Sequence, residues 1–240
     1  MAKTTVLFDL GGTLIEYYSA GEFCPILEEG IRAVQQSLQD QGCTTRAWDV
    51  VWQRALEENY ESSDYRVRPL EDRLPRIFAL NEASSRARIS VQALCRTFMR
   101  PIFDLAQVYG DTIPALERLR LDGFKIAIIS NTPWGSPAGL WHEELDRLEI
   151  APLVDEIFFC RDAGWRKPAP QILELAIHRV AAPTAECVLI GDDPRWNVAG
   201  AQAVDMDVVL LDRINAFPSC TVPRLQQLKE LPMLLHDQEW

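Results

Sequence analysis

Several short stretches of the chain place reactive side chains directly after apolar runs. Asp9 closes "VLF" and is followed by Leu10, Gly11, Gly12 and Thr13. Ser130, Asn131 and Thr132 follow "IAII", and Asp192 and Asp193 follow "VLIG". Arg166 and Lys167 stand shortly after "IFFC" and just before a helix start. These residue types suit phosphoryl transfer. A carboxylate nucleophile divides hydrolysis into two easier steps through an acyl phosphate. A second carboxylate lets Mg²⁺ neutralise the reacting oxygens, and Mg²⁺ accepts one or two carboxylates with waters and phosphate. A hydroxyl, an amide and a lysine then bind the phosphoryl oxygens. Each cluster alone has a plain structural reading as a turn or helix cap. Lys167 resists that reading, because a cation ahead of a helix start is unfavourable without a nearby anion.

Such side chains converge only if the elements bring strand ends together. Residues 4–8 read as a short buried strand closed by Gly-Gly. From about 109 onward strands and helices alternate. "FKIAIIS", "EIFFC", "CVLIG" and "MDVVLL" are the strands, and "GLWHEELDRL", "APQILELAIHRVA" and "VAGAQAV" are helical. Fully apolar strands in repeating βα units predict a doubly wound parallel sheet covered on both faces, an α/β fold. Ligands of such a sheet bind beyond the carboxyl ends of its strands, where all the polar clusters fall. Residues 16–108 are strand-poor and carry apolar positions at helical spacing, such as Phe23, Leu27, Val34 and Leu38. The chain is therefore predicted to form a core from 1–15 and 109–240, with 16–108 inserted as a helical cap. The tail from 213 is predicted as a polar loop and a short amphipathic segment.

Bulk properties narrow the partners. A net charge of −11 makes a nucleic-acid backbone an unfavourable partner. No stretch approaches the apolar length of a membrane span, and the N-terminus lacks the pattern of a signal peptide. The six cysteines contain no CxxC and the three histidines no close pair, so reduced thiols in a cytoplasm are expected rather than a zinc site.

"FDLGGTL", "IISNT", "RKP" and "LIGDDPRWNVAGA" together resemble the four motifs of the haloacid dehalogenase (HAD) superfamily, in order and with its usual spacing. The resemblance covers 1–15 and about 109–212, and implies a Rossmannoid core with a cap after the first motif. It implies Asp9 as nucleophile, with Thr13, Ser130 and Lys167 binding phosphate and steadying that aspartate. Asp9, Asp192 and the carbonyl of Gly11 would hold Mg²⁺, Asp193 would be a second acidic contact, and Asn131 would contact substrate. The expected reaction is hydrolysis of a small phosphorylated metabolite, by a monomer or homodimer.

Two positions depart from the family pattern. Gly11 stands where the first motif usually has a second aspartate, the residue that in phosphatases protonates the leaving oxygen and then activates water. Its loss removes a general acid/base step worth about 10²–10⁴-fold. Asn197 stands where related motifs often have an aspartate. Members lacking the second aspartate include dehalogenases, phosphonate hydrolases and some sugar-phosphate phosphatases. Asp192-Asp193 speaks for Mg²⁺ and against dehalogenation, and the absence of lysine from 16–108 speaks against a Schiff-base phosphonate hydrolase. A non-catalytic binding or regulatory module is the reading from another class. Trp48, Trp52 and Trp141 are expected to pack, while Trp134 and Trp165 flank motifs and could face substrate. Arg66, Arg68 and Arg73 read as a solvated helix face, with a cationic cap surface toward an anionic substrate as the alternative.

Overall fold

The structure, a computed structural model, describes residues 2–18, 20–80 and 89–237. Parts of two predicted regions lie outside the described residues: 19 and 81–88 of the predicted cap, and 1 and 238–240 of the predicted core.

The chain enters the sheet with β1 (Thr5–Phe8), and a two-residue strand β2 (Ile15–Glu16) follows the first loop. Four helices come next: α1 (Phe23–Asp40), α2 (Trp48–Glu58), α3 (Leu70–Phe78) and α4 (Val91–Leu105). A second short strand, β3 (Gln107–Val108), pairs antiparallel with β2, so the two passages between sheet and helical block run side by side. The chain continues as α5 (Thr112–Leu121), β4 (Lys125–Ser130), α6 (Ala138–Arg147), β5 (Glu156–Phe159), α7 (Cys160–Ala163) and α8 (Pro170–Val180). It closes with β6 (Cys187–Gly191), α9 (Ala199–Gln202), β7 (Asp207–Leu211), β8 (Arg224–Leu225) and α10 (Leu231–Asp237).

Six strands form one parallel sheet in the order β5-β4-β1-β6-β7-β8. Strand alternation sorts the core. Val6, Phe8, Ile128 and Ile190 face one layer with α5, α6 and α10, while Leu7, Ile129 and Leu189 face Ile172, Leu173 and Ala176 of α8. Strand β1 is central. The chain builds outward through β4 and β5 on one side and through β6, β7 and β8 on the other. The strand order therefore reverses at β1 and β6, and a crevice opens there beyond the strand ends. In the helical block α1 packs along α4. A Cβ at Gly30 would lie 2.9 Å from the Phe98 carbonyl oxygen, so glycine sets how closely the two helices approach.

Some elements differ from expectation. The tail contributes a sixth strand, β8, whose "RL" has no apolar run to announce it. The helix expected over 198–204 begins as a wider turn at Pro194–Val198 and ends as α9. No helix among the described residues is long and apolar enough to cross a membrane, and all six cysteines are free.

Candidate active site

Asp9 leaves the central strand between neighbours that deliver Ser130 from the end of β4 and Asp192 from just beyond β6. The backbone then doubles back. Gly12 N–H donates to the Ile15 carbonyl (2.8 Å), and the N–H groups of Leu14 and Ile15 donate to the Leu10 carbonyl (2.8 and 3.0 Å). Gly12 has φ +71°, and a Cβ there would lie 2.0 Å from Asp192 Oδ2. Glycine thus permits the turn and admits the carboxylate arriving from β6.

The Asp9 carboxylate is held by one oxygen. Oδ1 accepts from Leu10 N–H (2.7 Å) and the Ser130 hydroxyl (2.9 Å), and pairs with Lys167 Nζ (2.9 Å). Oδ2 accepts no hydrogen bond among the described residues, and Asp9 lines a cleft of about 320 Å³. Lys167 is fully buried, and its Nζ also donates to the Ile129 carbonyl (2.9 Å) and Asn197 Oδ1 (2.7 Å). All three ammonium protons are thereby committed. The contact with Asp9 is the steadying role expected of Lys167. Asn131 clamps the lysine's main chain, accepting from Lys167 N–H (2.8 Å) and donating to its carbonyl (3.1 Å).

Asp192 faces Asp9. Burial, and then the negative charge of Asp9, push its pKa up to about 7 against the opposing pull of Lys167. The Gly11 carbonyl accepts no hydrogen bond among the described residues. Two carboxylates that repel each other and a free carbonyl form a donor set of the kind Mg²⁺ takes. The Thr13 hydroxyl is buried without a hydrogen-bond partner among the described residues. Its main chain is pinned by Arg213, which donates to the Thr13 carbonyl (2.9 Å) and pairs with Asp111 (3.0 Å).

Several expectations are revised. Asp193 lines the cleft, but its carboxylate caps the following turn at Arg195 N–H (2.8 Å) and pairs with the Arg195 guanidinium (2.6 Å). Trp134 is buried, stacks on Phe98 and donates to Asn59 Oδ1 (3.0 Å), while Trp165 lies under the Arg66 guanidinium. Among the described residues the cleft takes Trp196 instead of either. Arg66 and Arg68 precede α3 rather than forming its face, and Arg73 is 2% exposed, so these arginines are not one solvated surface.

Tyr17 and Tyr18 also line the cleft. A Cβ at position 11 would lie 2.2 Å from the Tyr17 hydroxyl oxygen, so this phenol fills the space beside Gly11. Burial, then Tyr18 and the two carboxylates, hold its pKa well above the ordinary value, so it is a protonated group. Tyr17 stands three residues beyond "FDLGGTL", and the turn closed between Gly12 and Ile15 brings it back over Gly11.

This site lies on a parallel sheet at the point where strand order reverses. Residues 3–205 match the family model of haloacid dehalogenase-like hydrolases, and the chain belongs to that family. A ribulose-1,5-bisphosphate 5-phosphatase of Halopiger xanaduensis is 32% identical over 102 residues, 42% of this chain and 41% of the relative. An (S)-2-haloacid dehalogenase of a Pseudomonas species is 25% identical over 238 residues, 96% of this chain and 95% of that one. A HAD phosphatase structure from Thermococcus onnurineus superposes over 100% of both chains with a TM-score of 0.67 at 23% identity, a likeness of fold. The match to the first of these relatives spans less than half of that protein's length.

Proposed function

We propose that this chain is a Mg²⁺-dependent phosphatase that hydrolyses a small phosphorylated metabolite through an aspartyl phosphate on Asp9. The observation that carries this reading is the one-sided grip on Asp9. Lys167, Ser130 and Leu10 N–H hold Oδ1, while Oδ2 is left without a hydrogen bond among the described residues in a residue that lines the cleft. A carboxylate held this way is oriented for attack on phosphorus. Attack by Oδ2 releases the alcohol, and water then cleaves the acyl phosphate to regenerate Asp9.

Asp9, Asp192 and the Gly11 carbonyl would hold the metal. Mg²⁺ there would offset the charge of the two carboxylates and of the phosphoryl oxygens. The unpartnered Thr13 hydroxyl is available for a phosphoryl oxygen. Ser130, Asn131 and Lys167 serve chiefly to fix the nucleophile rather than to grasp substrate. The helical block, entered and left through β2 and β3, acts as the cap that selects substrate. Phosphatases among the relatives support this reading. The dehalogenase relative raises metal-free halide displacement as the competitor. The crowding of Asp192 against Asp9 favours the metal-dependent reaction, since Asp192 would only hinder an attacking anion unless a cation lay between them.

A panel of phosphorylated metabolites and 2-chloropropionate, assayed with Mg²⁺ and with EDTA, tests the reading. Phosphate release that requires Mg²⁺ and is abolished in Asp9→Asn is expected. Halide release that persists in EDTA, with no phosphate release, would replace this proposal with dehalogenation.

A further inference from the structure

Breaking an alkyl phosphate ester leaves negative charge on a poor leaving oxygen, which needs a proton as the bond to phosphorus breaks. Position 11 supplies none, being glycine. Of the other cleft groups near Asp9, Asp192 would hold the metal in the reading above, and the rest are bonded within the protein or are too weakly acidic to give up a proton. The Ser130 hydroxyl donates to Asp9, Lys167 has used its ammonium protons, and Asn131 is bonded to the Lys167 main chain. Arg166 pairs with Glu61 (2.9 Å) and donates to the Thr132 carbonyl (3.0 Å). Tyr17 differs. It lines the cleft, and its hydroxyl has no hydrogen bond among the described residues and stands 2.2 Å from where a Cβ on residue 11 would be. Tyr18 also lines the cleft, but Tyr17 is the tyrosine that abuts Gly11.

We infer that the Tyr17 hydroxyl is a further catalytic group, the proton donor to the leaving oxygen. This inference rests on the phosphatase reading above. As the bond from phosphorus to the leaving oxygen breaks, its electron pair stays on that oxygen, which takes the Tyr17 proton and departs as an alcohol. Water then attacks the phosphorus of the aspartyl phosphate, its proton passes to the Tyr17 phenolate, and the Asp9 carboxylate and phosphate are released. Tyr17 ends as it began. The ring is braced for this work against Tyr18 (4.8 Å between centroids) and Trp141 (5.7 Å). Phenylalanine at position 17 would keep both contacts.

The test compares the full chain and Tyr17→Phe, both with Mg²⁺, on β-glycerophosphate and p-nitrophenyl phosphate. The aryl ester releases a stabilised anion and needs little help from an acid. kcat/KM on the alkyl ester is expected to fall roughly 10²-fold or more in Tyr17→Phe, and on the aryl ester by less than about threefold. The same factor on both esters, or no change on either, overturns the role of Tyr17. If Tyr17→Phe does not fold, difluorotyrosine at position 17 replaces it. A changed alkyl-to-aryl rate ratio is then expected, and an unchanged ratio overturns the role. Wild-type protein without Mg²⁺-dependent turnover of either ester, or with full turnover in Asp9→Asn, overturns the phosphatase reading itself.

Discussion

The side chain absent at position 11 has its place filled by another residue, and this decides what substitution there can do. The Gly11 backbone lies outside the left-handed region, so a larger residue meets no conformational penalty. It meets Tyr17, whose hydroxyl oxygen would be 2.2 Å from the new Cβ. Gly11→Asp alone is therefore expected to be overpacked by about 1–3 kcal/mol, lowering Tm by about 2–4 °C for each kcal/mol in a chain of this size. Restoring the carboxylate needs room as well as the substitution. Gly11→Asp combined with Tyr17→Ala should regain stability relative to Gly11→Asp, and should exceed Tyr17→Ala alone by tenfold or more on alkyl phosphates. Differential scanning calorimetry and ester kinetics check both parts, and a Gly11→Asp protein that melts with the wild type would refute the packing account. Asp9, Ser130 and Asp192 were legible in the sequence because each follows an apolar strand, and Lys167 because it is a cation just ahead of a helix start. Tyr17 was not, because its approach to Gly11 depends on a turn closed by main-chain hydrogen bonds. Nor was the commitment of Lys167 to three protein acceptors, which depends on the burial of Asn197 beside it.

The elements that position the loop after β1 are held by a buttress centred on Asp111, just before α5. Asp111 pairs with Arg213 (3.0 and 3.1 Å) and accepts from Leu228 N–H (2.7 Å), while Arg213 donates to the Thr13 carbonyl (2.9 Å). One carboxylate thus joins the start of α5, the segment after β7 and the loop after β1. Burial raises the Asp111 pKa, but the hydrogen bonds from Arg213 and Leu228 N–H outweigh it, and the net shift is downward. A carboxyl whose pKa is depressed on folding gives stability that is fully present above its unfolded value and is lost as pH falls through the folded one. Tm should therefore decline below about pH 4 more steeply in the wild type than in Asp111→Asn, which starts lower and has less to lose. Parallel declines in melts from pH 6 to pH 2.5 would remove Asp111 from the explanation. The main strands of the sheet were legible as apolar runs between helical stretches. Strand β8 and this buttress were not, since a two-residue polar strand and a pair of residues far apart in sequence leave no local pattern.

Across the whole molecule, the helical block meets the sheet through a seam of charges and main-chain bonds. Its composition change at 16 and 108 was visible in the sequence and falls at β2 and β3, but the seam was not, because its partners come from distant segments. Glu71 of α3 pairs bidentately with Arg161 (2.9 and 3.1 Å), and Glu61 pairs with Arg166 (2.9 Å), a residue that lines the cleft. Between these pairs Val67 N–H donates to the Gly164 carbonyl (3.0 Å) and Arg166 N–H donates to the Tyr65 carbonyl (2.8 Å). If the block opens to admit substrate, these two amides must open with it. Partly exposed ion pairs contribute on the order of 0.5–1 kcal/mol each, so the two together govern an opening equilibrium by roughly five- to thirtyfold. Neutralising both in Glu61→Gln/Glu71→Gln should speed hydrogen exchange at the Val67 and Arg166 amides by about tenfold, while amides of β1 and β6 keep their protection. Raising the salt concentration should accelerate the wild type toward the variant, since exposed charges are screened. Exchange by mass spectrometry on peptides spanning 62–70 and 162–168 reads the outcome directly. Unchanged exchange at both amides would mean that apolar packing, such as Trp134 on Phe98, holds the block closed without help from its charges.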